Sequence, residues 1–372
     1  MKNRIYKYFF YEFIRYFTIV VFALTAIIWT IQAVNFLDLV TDDGHAFMVY
    51  LFYSSLTIPK ILTKLIPFSF LIAAILTILK LEKDNELIIL WTSGLNKIHI
   101  VNLILRISIL IVIVQLLMST FVNPETLKIS RNILKNSELQ FVPSLLKEKQ
   151  FNDTVKGLTI FVDKKNANNI YENIFIRDEG KVLTNVSTGS STIFAKSGYV
   201  TDDEKKLVLV DGNIQKVEAS GSLNIIKFNK TEINLHGLAT KTISAEKIQE
   251  TSTISLISCL LNIVHKCSRN ENMNLKEIKI ELNKRFGMPI FIPLVALICC
   301  FLLSSRQEKK ISFFQKYIYG ILGIIVIIIS EITVRYSGIS LEYSLIYYLI
   351  PIGLIPITYF LLVRTFKYEN LN

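Results

Sequence analysis

The sequence predicts a membrane α-helical protein: six transmembrane helices, with an all-β domain, a sandwich or jelly roll, inserted outside the cytoplasm between the third and the fourth. Three observations predict it. Long uncharged runs recur in a chain that is 51% hydrophobic, 19% charged and has a mean hydropathy of +0.44. A soluble domain carries about a quarter charged residues, and a bilayer concentrates such a deficit into runs long enough to cross it. Between the two groups of three runs the pattern changes to short segments separated by turn residues. Basic residues gather beside the runs in a way that fits one orientation throughout.

Span one is Phe17–Phe36. Lys2, Arg4, Lys7 and Arg15 precede it and Asp38, Asp42 and Asp43 follow it, which places the N-terminus in the cytoplasm. Its uncharged run of about 20 residues is too long for a signal-peptide core, so it is expected to stay as a span. Span two, Ala46–Leu79, would reach about 50 Å as one helix against about 30 Å of hydrocarbon. Pro59 and Pro67 are expected to kink it. Counting about 20 residues back from Lys80 puts Lys60 at the outer boundary and Lys64 one turn deeper. The polar stretch Glu82–Lys97 is expected to hold a short amphipathic helix starting near Asp84, its early acids favoured by the dipole and Gly94 suiting its stop. Span three is Ile98–Val122, with Arg106 near its cytoplasmic end.

Glu125–Leu139 reads as a helix. Leu158–Val162, Ile170–Ile176, Ser191–Ser197, Lys206–Val210, Asn213–Val217, Ser222–Phe228 and Thr231–Leu235 read as strands. Asp211-Gly212 is a hairpin signal and Asp178-Glu179-Gly180 a further turn. Seven short strands argue a sandwich or jelly roll, outside the cytoplasm because three spans precede it. Helix resumes near Ile254, and Asn274–Arg285 leads into span four, Phe286–Ser305. Arg306, Glu308, Lys309, Lys310 and Lys316 form a mostly basic, cytoplasmic loop. Span five is Tyr317–Val334, an outer turn holds Arg335 and Gly338, span six is Tyr343–Val363, and Arg364 and Lys367 open a cytoplasmic tail. The expected domains are residues 1–122, 123–283 and 284–372.

The formal charge of +11 first suggests nucleic acid. The basic residues flank the apolar runs, so membrane topology explains them and no nucleic acid is expected. Cys299 and Cys300 fall in a span and read as small core residues. Cys259 and Cys267 read as lying on one helix about 12 Å apart, too far for a disulfide, and His265 beside Cys267 matches no standard metal site. There is no P-loop, no His-Glu-x-x-His and no Gly-x-Ser-x-Gly, so no enzyme site and no bound cofactor is expected.

Three features carry chemistry. The acidic, apolar-faced helix after span two suits a groove on a cytoplasmic partner or the lipid headgroups. Lys60 and Lys64 share a face at a depth that suits lipid phosphates or simple snorkelling, with Arg335 able to join them or to anchor span five. Glu331, inside span five, is a proton carrier, a wall residue or an ion-pair partner; one turn from Arg335, it is expected to pair with it.

Asp84-Asn85-Glu86-Leu87 followed by Thr92-Ser93-Gly94-Leu95, between spans two and three, resembles the permease subunits of the bacterial lipopolysaccharide exporter, the LptF/LptG family. The resemblance covers nearly the whole chain. It includes Pro59 and Pro67 in span two, Glu281-Leu282-Asn283-Lys284-Arg285 before span four, and the last span pair around Ser337-Gly338. Leu223–Leu235 and the 158–176 hairpin look more like LptF than LptG. The resemblance implies an inner-membrane permease that extracts lipopolysaccharide and passes it to a periplasmic bridge. It implies a second permease subunit of the LptG type, a cytoplasmic ATPase dimer of the LptB type that holds the ATP and Mg, and LptC-type and LptA-type jelly-roll proteins. Glu86 matches the acid of the helix that enters the ATPase groove, Asp84 and Gly94 its flanks, and Arg335 a basic position facing lipid phosphates. Some members carry basic residues late in span one where this chain has Ala33 and Asn35, which shifts the expected phosphate role toward Lys60 and Lys64. The rival readings are an ion-coupled lipid transporter working through Glu331 and an envelope scaffold or sensor whose β-domain binds a periplasmic partner.

Overall fold

The computed structural model describes residues 2–41, 46–136, 146, 148–153, 157–166, 170–179, 190–201, 206–217, 223–234, 247–261, 275–304 and 309–369. Asp42, Asp43, Gly180, His265, Cys267, Arg306 and Glu308 lie outside these residues. The described helices are α1 (Lys2–Asn35), α2 (Asp38–Thr41), α3 (Phe47–Leu56), α4 (Ile58–Lys83), α5 (Glu86–Thr92), α6 (Lys97–Leu117), α7 (Asn123–Asn136), α8 (Thr253–Leu260), α9 (Leu275–Gly287), α10 (Phe291–Cys300), α11 (Lys309–Tyr336) and α12 (Leu341–Glu369). Among the described residues six helical stretches are long and apolar enough to cross a membrane: Arg4–Thr41, Phe47–Lys83, Lys97–Leu134, Leu275–Leu303, Tyr317–Tyr336 and Leu341–Tyr368. Three precede the strands in sequence and three follow them, as the hydropathy pattern predicts.

The chain divides into two compact units. One comprises Met1–Thr30, Thr57–Leu127 and Lys247–Asn372; the other comprises Ile31–Leu56 and Lys128–Glu246. In the first unit α10 forms the core. All its residues except Pro293 are buried, and span four is 67% buried over its most apolar window against 17% for spans one and six. The outer spans keep large apolar side chains exposed, including Ile19, Phe22, Ile325 and Leu349. Such a surface suits lipid, where apolar side chains gain little by turning inward. Close helix approach then depends on small residues. A Cβ on Gly287 would meet the Tyr347 ring, and one on Gly338 would meet Ile280 and the Lys276 carbonyl.

The two prolines of span two act differently. The helix breaks after Leu56 and restarts at Ile58, so Pro59 sits in the first turn of α4, where its missing N–H is tolerated. Pro67 lies inside α4 and cannot donate to the Thr63 carbonyl one turn back. The side chain of Gln115, on α6, donates to that carbonyl at 3.2 Å. Span three carries its own irregularity, a π-helical segment over Met118–Val122 in which Ser119 and Thr120 are buried. Such insertions leave the regular ladder and concentrate at functional sites.

In the second unit the described strands are β1 (Phe151–Asn152), β2 (Leu158–Lys165), β3 (Ile170–Asp178), β4 (Ser191–Val200), β5 (Lys206–Val217) and β6 (Leu223–Asn234). They form one antiparallel sheet in sequence order. One face packs a core of Leu158, Ile160, Val162, Ile174, Ile176, Ile193, Leu207 and Leu209. Phe151, Phe161, Phe175 and Phe194 line up ring to ring across β1–β4, with neighbouring centroids 4.7–6.1 Å apart. The β-rich domain is thus present, but its detail differs from the expectation. Asp211-Gly212 does not end a strand: Val210 and Gly212 pair with Ser197 and Ala195 in the same register on either side of Asp211. Likewise Leu223–Asn234 is one strand, where two were expected.

The reason lies in a row of skipped pairs. The register omits Asp163 with Asn173, Asn173 with Lys196, Lys196 with Asp211, and Asp211 with Asn229. Asn173 and Asp211 have φ of 52° and 49°, a left-handed conformation that Asn and Asp tolerate better than most residues. The turn signal at Asp211-Gly212 therefore marks an irregularity that crosses the sheet. Gly212 is required there because a Cβ would meet the Phe194 carbonyl and the Phe228 ring.

Candidate functional site

One candidate lies on α5. The helix was expected to begin near Asp84 and begins instead at Glu86. Asn85 takes φ 57°, which separates α4 from α5, and the Asp84 amide donates to the Lys80 carbonyl at the end of α4. Asp84 therefore belongs to the joint, and Glu86 is the acid of the first turn, where the helix dipole favours it. Gly94 ends α5 as expected. At φ 80° its amide donates to Trp91, while the Leu95 amide donates to Leu90. This is the paired closure in which a left-handed residue satisfies the last carbonyls. Asn96 then caps α6 by accepting from the Ile98 amide at 3.0 Å.

The Glu86 carboxylate accepts a hydrogen bond of 3.0 Å from the Tyr8 hydroxyl on α1. A cleft of about 330 Å³ lies between the two helices, lined by Arg4, Ile5, Tyr8, Phe9, Leu81, Glu86, Ile89 and Leu90. Four residues further along α1, buried Glu12 pairs with Lys80 at 2.8 Å. Ile88 and Ile89 stay exposed. The arrangement presents one oriented carboxylate and apolar side chains on a short helix joined to two spans. The role of Tyr8 carries no motif, because its partner is distant in sequence.

The basic residues stand elsewhere, Lys60 and Lys64 near the start of α4 and Arg335 at the end of α11. Lys60 is partly buried and Lys64 exposed. The charges acting most on Lys60 are Lys64 and Lys247, which repel it, and Glu281 and Glu250, which attract it. Arg335 is exposed in the last turn of α11, where the dipole favours a cation. The expected Glu331–Arg335 pair does not form. Glu331 binds Lys284 of α9 at 3.1 Å, a partner outside its own helix that residue spacing alone could not reveal.

Two polar networks were missed. Arg285, 3% exposed, donates to Glu281 (3.0 Å), to the Thr251 and Gln249 carbonyls (3.1 and 3.2 Å) and to the Thr253 hydroxyl (2.8 Å). Thr253 donates to the Thr120 carbonyl and Ser119 to the Arg285 carbonyl, so this arginine joins α9 to the segment before α8 and to the π-helical turn. Asn283 donates to the hydroxyls of Ser337 (2.9 Å) and Ser344 (3.0 Å) and accepts from Tyr348 (3.2 Å), fixing the turn between spans five and six. The Glu281–Arg285 spacing was the one available signal.

The reading of the cysteines is also corrected. Cys259 is disulfide-bonded and its helix α8 ends at Leu260, while Cys267 lies outside the described residues. Cys299 and Cys300 are free and buried, as expected of core residues.

Among the described residues no cluster of His, Cys, Asp or Glu is arranged to hold a metal. Six apolar helices, an antiparallel sheet domain between the third and fourth, and a short acid-bearing helix between the second and third define the architecture of a multi-pass membrane protein with an inserted β-domain. Residues 7–365 match the family model described as lipopolysaccharide export system permease LptF/LptG, and the chain belongs to that family of transporter components. The model covers both subunit types. The chain is also similar to "Uncharacterized protein RP871" of Rickettsia prowazekii (strain Madrid E), 27% identical over 96% of this chain and 98% of that protein.

Proposed function

We propose that this chain is a permease subunit, of the LptF type, in an ATP-driven exporter that extracts lipopolysaccharide from the inner membrane. Both termini lie in the cytoplasm and the β-domain in the periplasm. A partner ATPase dimer holds the ATP and Mg, and a second permease subunit of the LptG type completes the pair. LptC-type and LptA-type proteins receive the lipid. The observation that carries this reading is Glu86: an acid at the start of an exposed helix between two spans, oriented by Tyr8, in a family of lipopolysaccharide export permeases. The chain lacks a P-loop, so the energy comes from another chain.

Two further facts support the topology and the need for a driver. Cys259, in the connection between spans three and four, is disulfide-bonded, and disulfides persist in oxidising compartments such as the periplasm. Removing acyl chains from a bilayer costs about 0.8 kcal/mol per CH₂, which for several chains demands both shelter and an external source of energy. Lys64, exposed near the outer boundary, is the residue we assign first to lipid phosphate, with Lys60 and Arg335 around it. Glu331, which an ion-coupled route would use, is paired with Lys284.

Capture from membranes in mild detergent tests the reading. The tagged chain is expected to bring down a P-loop ATPase, and Glu86→Arg to lose it or to lose transport. Glu86→Arg complexes that assemble and export normally contradict the assignment of α5.

A further inference from the structure

Lys97 stands where α5, α6 and α12 meet. It is the first residue of α6 and is 8% exposed. Its ammonium lies 5.5 Å from the ring centre of Trp91 on α5 and 5.6 Å from that of Phe366 on α12. A cation near ring faces is attracted by their quadrupoles, more strongly as water is excluded. Phe366 is 1% exposed and shares a buried cluster with Leu87 of α5 and with Leu95 just beyond it. Earlier in α12, the Tyr359 hydroxyl donates to Asn102 of α6 at 3.1 Å. Tyr359 and Phe366 are two turns apart on one helix face, so α12 is registered on α6 at two points. The point nearer the chain end also holds α5.

Two ordinary roles fit Lys97 poorly. A headgroup anchor extends its ammonium into water, whereas this one is withdrawn between rings. A cation at the first position of a helix also opposes the helix dipole, so the placement needs an offsetting contact, and the two rings supply one.

We propose that Lys97 is a positioning residue that couples α5 to the last span: displacement of α5 passes through Trp91, Lys97 and Phe366 to α12. The inference rests on the reading of α5 as the helix on which the ATPase acts. The test uses the full complex in proteoliposomes and measures ATPase retained, ATP hydrolysed, and lipopolysaccharide released per ATP. Lys97→Met is expected to keep the ATPase and its hydrolysis while lipid released per ATP falls about thirtyfold, the scale of one desolvated cation–π contact. Lys97→Arg restores most of the loss, since guanidinium also stacks on rings. The double variant Lys97→Met with Phe366→Leu is no worse than the more impaired single variant, as members of one contact are non-additive.

If Lys97→Met yields no stable complex, Phe366→Leu carries the same comparison. Wild-type lipid release per ATP in Lys97→Met overturns the proposal. So does an arginine variant as impaired as the methionine one, or additive losses in the double variant. A wild-type complex that retains no ATPase removes the reading of α5 itself, and this coupling with it, which separates the two failures.

Discussion

Arg285 carries the largest single-residue consequence in the first unit. Its guanidinium satisfies one carboxylate, two carbonyls and a hydroxyl in a site almost closed to water. Removing one partner of a buried ion pair costs about 3–5 kcal/mol, because the other charge stays behind. Arg285→Met is therefore expected to lower the thermal unfolding midpoint in detergent by several degrees, and Arg285→Lys by less. An unchanged midpoint for the methionine variant contradicts the network. The lysines separate along the same logic. Lys60 feels Lys64 and Lys247 as well as Glu281 and Glu250, so Lys60→Glu changes several charge contacts inside the protein at once. Lys64 is exposed, and Lys64→Glu is expected to reduce photocrosslinking of lipid A at neighbouring positions without lowering stability. Equal crosslinking in wild type and variant removes Lys64 from the phosphate site.

The helices show which elements could be read from sequence and which could not. The spans were legible because hydropathy is local: Phe286–Ser305 and Leu275–Leu303 describe the same element from sequence and structure. The start of α5 was misplaced by two residues because Asn85 enters the left-handed region, which composition does not announce. Asp211-Gly212 carries the chemistry of a turn yet lies within a continuous strand, because pairing on both sides of β5 holds the register. Ion-pair partners could be sought only along one helix, which suggested Glu331–Arg335 where Lys284–Glu331 forms.

Pro67 and Gln115 offer a test at the element scale. Gln115→Leu leaves the Thr63 carbonyl unpaired and buried, a loss of about 1–3 kcal/mol. Pro67→Ala returns an intrahelical donor to that carbonyl, so the same glutamine substitution is expected to cost much less in the Pro67→Ala background. Unfolding measurements on the four combinations close the cycle, and strict additivity contradicts the assigned contact.

For the whole molecule, the order of elements is the functional argument. A short acid-bearing helix follows span two, the apolar spans follow the pattern of a membrane unit, and the sheet domain lies between spans three and four. On the function proposed above, these elements form one route: force enters at α5, the spans hold the lipid, and the β-domain receives it. A scaffold or sensor with the same fold requires no flux and no response to ATP. The direct measurement is ATP-dependent release of lipopolysaccharide from proteoliposomes holding this chain with its second permease subunit and ATPase, captured on a soluble jelly-roll acceptor. The account predicts release that requires ATP and is abolished by Glu86→Arg. Release that is equal without ATP, or undiminished by Glu86→Arg, contradicts it.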